Sequence, residues 1–301
     1  MARTTFEELL DAGSHFGHLK RKWNPNMAPY IFMERNGIHI IDLYKTIAKI
    51  DEAAAAMKQI TKSGKRVLFV ATKKQAKDIV AEQVKAVGMP YVTERWPGGM
   101  LTNFATIRKA VRKMSSIDKL MSSPSYENIS KRERLQIARE RAKLEKNLGS
   151  IADLGRLPAA LFVVDIVKEH IAIAEARKLN IPTFAIVDTN SDPNLVDFPI
   201  PANDDASKSI SLIVGKMVQA IEEGLMERKI DRDKRDDDRD DLGQGALDRG
   251  FDDLDNEDDD LIGGAERTRS KGVAGEDSGE EGRRGKPGGR KPLGKRPGPR
   301  K

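Results

Sequence analysis

The residues best suited to chemistry in this sequence are two histidines near its beginning and a group of aspartates near residue 200. His15 and His18 are three positions apart, as the members of some metal-binding pairs are. Asp188, Asp204 and Asp205 supply carboxylates, which are common ligands of divalent ions. The chain has no cysteine, which excludes thiolate zinc sites, thiol nucleophiles and disulfides. The sequence therefore allows a binding site for a divalent ion, Mg²⁺ or Zn²⁺.

A simpler interpretation exists for both groups, and we favour it. No H-E-x-x-H motif is present, so we predict that His15 and His18 hydrogen-bond to backbone or to RNA. Residues 188–192 begin like a calcium-binding loop, but Pro193 stands where that loop needs glycine. Loop capping is therefore the preferred role of the aspartates. We predict that no cofactor is required, with a divalent ion at the three aspartates as the alternative.

The sequence lacks the fingerprints of nucleotide-binding enzymes. No G-x-G-x-x-G is present, Gly64-Lys65 precedes a strand pattern, and Gly215-Lys216 falls inside a helical pattern. No residue is placed as an oriented nucleophile. We predict that the protein is not an enzyme. An α/β enzyme that uses the acidic loop is the second hypothesis, and a coiled-coil adaptor without an RNA partner is the third.

These residues must be positioned by strands and helices that alternate along the chain. Buried-strand patterns cover residues 66–71, 159–164 and 181–187, and helical patterns cover 44–62, 74–87, 169–179 and 207–228. Such alternation predicts an α/β domain with a mostly parallel sheet, formed by residues 1–104 and 151–228. The aspartates then fall near the carboxyl ends of strands, where α/β sheets bind ligands.

The alternation is interrupted by residues 105–150, which predict an inserted antiparallel coiled-coil hairpin. Apolar residues recur there at alternating spacings of three and four, and Ser130 with Glu133 fits a capping box that begins the second helix. We expect this narrow hairpin to project from the domain. It carries 12 Lys or Arg against 5 Asp or Glu, which favours a polyanionic partner over a plain solvated face. The candidate contacts are Arg108, Lys109, Arg112 and Lys113.

Residues 15–43 interleave aromatic and basic side chains, a combination typical of RNA-binding surfaces. We expect Phe16, Ile31, Phe32 and a short strand at residues 38–43 to anchor this arm to the sheet. The remaining candidates for contact with RNA or a protein partner are His15, His18, Lys20, Arg21, Lys22, Trp23 and Arg35.

Residues 94–103 form a loop with one proline and two adjacent glycines. The glycines allow either a tight turn or the close approach of a phosphate backbone, and the sequence leaves both open. The candidate RNA contacts in this loop are Arg95, Trp96, Gly98, Gly99 and Asn103.

Charge is distributed unevenly along the chain. Residues 1–230 hold 36 Lys or Arg against 27 Asp or Glu, residues 231–266 hold 5 against 16, and residues 267–301 hold 12 against 4. We predict that residues 229–301 are a disordered, acidic-then-basic tail, because they contain too little apolar surface to offset the entropy of ordering. No apolar run approaches the length of a membrane span, and the start lacks a secretory signal, so a cytoplasmic protein without a membrane partner is expected.

Three stretches, in this order, resemble the family of bacterial small-subunit ribosomal protein two. They are AGSHFGHLKRKWNPNMAPYIFMERNGIHIIDLYKT at residues 12–46, RWPGGMLTNFATIRK at 95–109, and the segment from LPAALFVVDIVKEH to ANDDASKSISLI at 157–213. Matches of this length and order are highly specific, although Pro97 stands where many members of the family have leucine.

The resemblance implies a doubly wound, flavodoxin-like parallel sheet with an inserted, protruding coiled-coil hairpin. It implies a non-enzymatic component of the small ribosomal subunit, monomeric within the ribosome, that binds small-subunit ribosomal RNA. It also implies contact with other small-subunit proteins, including the multi-repeat OB-fold protein that captures messenger RNA. A divalent ion near the aspartates is compatible with the family.

Overall fold

The computed structural model describes residues 3–247, except for the side chains of Ser125, Glu127 and residues 235–247. The helices are α1 (Phe6–Asp11), α2 (Leu43–Lys62), α3 (Lys74–Ala86), α4 (Phe104–Met121), α5 (Lys131–Leu148), α6 (His170–Lys178) and α7 (Ser207–Leu247). The strands are β1 (Phe16–Leu19), β2 (Ile31–Arg35), β3 (Ile38–Ile41), β4 (Val67–Val70), β5 (Tyr91–Val92), β6 (Ala160–Val164), β7 (Thr183–Val187) and β8 (Phe198–Pro201). Short 3₁₀ turns connect several of them.

Five parallel strands form the central sheet, in the order β5-β4-β6-β7-β8. Numbered within the sheet, this is the order 2-1-3-4-5 of flavodoxin-like folds. Successive side chains of a strand point to opposite faces, so Val67 and Phe69 of β4 enter one core while Leu68 and Val70 enter the other. Helices α2, α3 and α7 cover the first core, and α6 covers the second. The predicted α/β class with a parallel sheet is confirmed.

The arm folds into a three-stranded antiparallel sheet, in the order β1-β3-β2, which we call the ribbon. Arg35 pairs with Ile38, so Asn36 and Gly37 form the two-residue turn between β2 and β3. Both turn residues have positive φ, at 54° and 76°, as type I′ hairpins require. We predicted a strand only near residues 38–43. The Asn-Gly pair was a signal for the hairpin that the sequence analysis missed.

Helices α4 and α5 form the inserted hairpin. Arg141 Nε of α5 lies 2.7 Å from Asp118 Oδ1 of α4, and Lys113 of α4 pairs with Glu140 of α5. Met114 and Ile117 are buried along the contact between the helices. Ser130 accepts a hydrogen bond from the amide of Glu133, so it caps α5 as predicted. The coiled-coil supercoiling of these two helices and the projection of the hairpin from the domain stay predictions.

Helix α7 continues past Arg228, where we predicted the ordered chain to end, and reaches Leu247. The segment predicted as a tail therefore begins inside this helix, and the disorder of the tail stays a prediction. Lys58 and Lys62 of α2 form ion pairs with Glu227, and Lys62 also lies 3.4 Å from Asp231 Oδ2. Extending an existing helix costs far less than nucleating one, so a polar segment can continue it. Residues 248–301 of the predicted tail lie outside the described residues.

None of the helices in residues 3–247 combines the length and apolar character that crossing a bilayer requires.

Helices α2 and α7 approach each other closely at Gly224. A Cβ atom built on Gly224 would lie 2.1 Å from Thr61 Oγ1 and 2.7 Å from the carbonyl oxygen of Lys58. We expect Gly224→Ala to lower the free energy of unfolding by about 1–3 kcal/mol, because the backbones must separate. The measurement is chemical denaturation.

The matched control is Gly215→Ala in the same helix. A Cβ at Gly215 meets only Gln83 Oε1 at 3.8 Å, so alanine should be neutral or stabilising by up to about 1 kcal/mol. Equal effects of the two substitutions would show that the close approach at Gly224 does not limit packing.

Candidate functional site

Charged side chains gather at the carboxyl edge of the parallel sheet. Lys73 follows β4, Asp165 follows β6, Asp188 follows β7, and Asp204 and Asp205 follow β8. Parallel strands end at the same edge, so the fold brings together residues that are far apart in sequence. With His18 of β1, these six residues form what we call the edge cluster: His18, Lys73, Asp165, Asp188, Asp204 and Asp205.

Lys73 occupies the centre of the edge cluster. Its Nζ lies 2.8 Å from Asp204 Oδ1, 2.6 Å from Asp205 Oδ1 and 3.5 Å from Asp165 Oδ2. Burial lowers the pKa of Lys73, but the hydrogen bond and charge of Asp204, with the other carboxylates, outweigh this effect and raise the pKa above its ordinary value. Lys73 therefore carries a positive charge that partly neutralises the aspartates. This role of Lys73 was not predicted from the sequence.

His18 connects the ribbon to this edge. Its Nδ1 lies 2.9 Å from Asp188 Oδ2, and its backbone amide donates to Thr189 Oγ1 at 2.8 Å. The hydrogen bond to Asp188 is the largest of the effects that raise the pKa of His18, although burial acts against it. A Cβ at the neighbouring Gly17 would lie 2.6 Å from Thr189 Cγ2, so only glycine allows this close approach without a shift.

His15, the other member of the predicted pair, lies in a different environment. Its ring contacts that of Phe16, with centroids 4.0 Å apart, and burial lowers its pKa. His15 lies just before β1 and is not part of the group of ligand atoms formed by His18, Asp188 and Asp204, so the two histidines do not make a metal-binding pair here. The ring of His18 makes its polar contacts within this chain, with the carboxylates of Asp188 and Asp205.

Asp204 is the carboxylate whose bonding is least complete. It is fully buried, Oδ1 accepts from Lys73, and Oδ2 is buried without a hydrogen-bond partner. Burial and the nearby charges of Asp188 and Asp165 raise its pKa to about 7, against the opposing effect of Lys73. Ligand atoms of His18, Asp188 and Asp204 lie within 4.8 Å of one another, which suits one divalent ion. Asp205, a ligand in the alternative metal-binding interpretation, lies outside this group and pairs with Lys73 and His18.

The predicted basic contacts of the arm form an exposed turn. Lys20, Arg21 and Lys22 are consecutive in a 3₁₀ turn and all three are exposed. Lys20 Nζ lies 2.6 Å from Glu34 Oε2, whereas Arg21 and Lys22 have no ion pair among residues 3–247. Trp23 packs on the ring of His39 at 5.2 Å and remains half-exposed. Arg35 is exposed at the end of β2.

The ribbon also carries an exposed apolar surface. Phe16 is 49% exposed and Phe32 is 71% exposed, so the prediction that these rings anchor the arm is wrong. Of the predicted anchors, Ile31 packs against the core, and Ile41 and Leu43 at the end of the predicted strand are buried. A groove of about 360 Å³ lies here, and the apolar side chains that line it include Phe6, Leu10, Phe16, Phe32, Met33, Ile40 and Tyr44. We call it the ribbon groove.

The loop at residues 95–103 folds around the carboxylate of Glu175. This side chain accepts five hydrogen bonds, from the indole of Trp96, from the amides of Gly99, Leu101 and Thr102, and from the Thr102 hydroxyl. Burial raises the pKa of Glu175, but the hydrogen bonds outweigh this and lower it. Trp96 is only 6% exposed, so its role is structural and the predicted RNA contact is corrected.

The two glycines of this loop differ in conformation. Gly99 has φ of +84°, which requires glycine for the turn, and a Cβ there would lie 3.2 Å from Asn103 Cβ. Gly98 has an ordinary φ and open space around it. Arg95 and Asn103 are exposed.

The four hairpin cations also separate into two groups. Arg108 donates to the carbonyl oxygen of Gly155, and Lys113 pairs with Glu140. Lys109 and Arg112 are exposed and have no ion pair in the described part of the chain. The latter two therefore keep their charge available for a partner.

Comparison with known proteins gives consistent matches over most of the chain. Residues 9–224 match the family described as ribosomal protein S2. The small ribosomal subunit protein uS2 of Phocaeicola vulgatus is 72% identical over 232 residues, which are 77% of this chain and 83% of that protein. The uS2 proteins of Bacteroides thetaiotaomicron and Porphyromonas gingivalis are 70% and 69% identical over the same length, covering 84% and 83% of their chains. The chain therefore belongs to the ribosomal protein S2 family.

Proposed function

We propose that this structural constituent of the small ribosomal subunit binds ribosomal RNA through the basic turn at Lys20–Lys22 and docks a neighbouring ribosomal protein in the ribbon groove. Family membership supports the role in the ribosome, and the names of the relatives agree with a protein that is not an enzyme. The cytoplasm is the corresponding location. Within the ribosome the chain acts as a monomer.

The observation that carries RNA binding is the exposed turn itself. Three consecutive cations beside a half-exposed Trp23 can meet phosphates while the ring stacks on a base. The edge cluster, through the buried Asp188, anchors the ribbon on which the turn sits, so the cations are presented on a fixed support. Lys109 and Arg112 of the hairpin and Arg95 of the loop are further exposed cations that can contact RNA.

Charge reversal tests this proposal. Changing Lys20, Arg21 and Lys22 to glutamate should lower affinity for small-subunit ribosomal RNA at least about tenfold and reduce the salt dependence, because fewer counterions are released. Filter binding at several salt concentrations gives both quantities. Changing the exposed Lys85, Lys178 and Lys208 to glutamate alters net charge equally and is the control. If both variants bind alike, the basic turn is not an RNA contact.

The ribbon groove is the proposed docking site for the multi-repeat OB-fold protein that captures messenger RNA. Most of the side chains that line it are large and apolar, although His15, Arg35 and Asp42 are among them. The rings of Phe6 and Tyr44 stack, with centroids 5.1 Å apart. Clustered exposed apolar surface of this kind marks protein interfaces. The groove suits an apolar segment of the partner.

Phe32→Asp should weaken binding of the purified OB-fold protein at least about tenfold, because a desolvated aromatic contact is replaced by a charge. Val167→Asp is the control, since Val167 is an exposed apolar residue outside the groove. Calorimetric titration of both variants measures the effect. Unchanged binding by Phe32→Asp would place the partner elsewhere.

A divalent ion at His18, Asp188 and Asp204 is the remaining proposal. The unpartnered Oδ2 of Asp204 and the convergence of the three side chains support it. An ion held there would bind the ribbon to the sheet edge and compensate the buried carboxylates.

Zn²⁺ or Mg²⁺ should raise the melting temperature of the native protein, more at pH 8 than at pH 5.5, because protons compete with the metal for its ligands. His18→Gln should abolish the increase, and His15→Gln, which changes a histidine outside the edge cluster, should retain it. An equal increase in the two variants would rule out the site.

A further inference from the structure

A second groove lies between the loop at residues 95–103 and the base of the hairpin, where α4 begins and α5 ends. Its volume is about 490 Å³. The floor is apolar and half-buried, formed by Pro97, Ile107, Ala110 and Leu144. We call it the loop–hairpin groove. We propose that it holds one unstacked base of single-stranded RNA, an inference that rests on the proposed RNA-binding function.

The charges around the groove favour RNA over a protein segment. Arg95 and Lys143 stand at its mouth, and their exposed side chains have no ion pair or hydrogen bond among residues 3–247. The one acid of the lining, Glu140, is already neutralised by Lys113. The groove therefore combines an apolar floor with a net positive rim, and a nucleotide has the complementary apolar face and negative phosphate.

Two polar groups are placed to recognise the base. The guanidinium plane of Arg95 can stack on a base that lies against the floor, as arginine does in RNA-binding proteins. Asn147 donates from Nδ2 to the carbonyl oxygen of Lys143 at 3.0 Å, while its side-chain oxygen accepts no hydrogen bond in the described part of the chain. That oxygen can accept from the amino group of a base.

The groove is preorganised on its loop side. Glu175 holds the loop through five main-chain and side-chain groups on either side of Gly98, so the loop need not become ordered when RNA binds. Gly98 itself has an ordinary φ, and an added Cβ would meet nothing within 4 Å. Packing within the chain therefore does not require glycine at position 98. Close approach of a nucleotide to the backbone does require it.

Three aspartate substitutions test the groove with the same change in net charge. Gly98→Asp and Ala110→Asp place a carboxylate in the groove, and Ala105→Asp places one on an exposed position of the same α4 helix outside it. The groove variants should bind in vitro transcribed small-subunit ribosomal RNA about tenfold more weakly than the wild type, and Ala105→Asp within about twofold. Melting curves verify that each variant is folded, and the open space at Gly98 makes its substitution the safer of the two.

The outcomes separate this inference from the proposed function. If the wild-type protein does not bind the RNA, both fail. If it binds and all three variants bind equally well, RNA binding stands and the groove is excluded. If the groove variants bind more weakly, Arg95→Ala distinguishes contact with a base from contact with a phosphate. Loss of affinity with an unchanged salt slope supports stacking on a base. A salt slope reduced by about one contact identifies a phosphate contact and overturns the assignment of a base.

Discussion

The structure depends on how charges are satisfied at the carboxyl edge of the parallel sheet. Three strands end in aspartates, and repulsion among them would be severe in a buried position without a cation. Lys73 supplies that cation from the end of β4. His18 adds a second positive group when protonated and brings the ribbon with it. The position of the ribbon, and of the surfaces it carries, therefore follows from the electrostatics of the edge cluster.

Glu175 and Asp204 are both buried carboxylates, but they differ in hydrogen bonding and in the direction of their pKa shifts. Glu175 accepts five hydrogen bonds and has a lowered pKa, which is the signature of a structural anion that orders a loop. Asp204 has one oxygen without a partner and a raised pKa. A bound ion would supply the missing partner of a carboxylate that is buried, incompletely hydrogen-bonded and close to other ligand atoms. This contrast marks Glu175 as a structural residue and Asp204 as a candidate site residue.

The ribbon separates two kinds of surface. A β-bulge lies between Phe16 and Leu19, and it allows Phe16 to line the ribbon groove while His18 faces the edge cluster. Strand periodicity alone would have placed these two residues on one face. The basic turn follows immediately, so a largely apolar groove, whose lining also includes Arg35, and a cationic turn lie within one short segment. The two proposed contacts, with RNA and with another protein, would use these two surfaces.

The sequence by itself determined the α/β class, the parallel strands, the inserted helical hairpin and the family, because these follow from hydrophobic periodicity and from long ordered motifs. It also located the basic turn, whose three adjacent cations leave little room for burial. Tertiary structure alone decided the roles of Trp96, Lys73 and Glu175, since each depends on a partner distant in sequence. The same holds for the exposure of Phe16 and Phe32, which hydrophobicity assigned to the core. The aspartates were correctly placed near strand ends, but their grouping with His18 required strand order, which brings residues 18, 188 and 204 within reach of one ion.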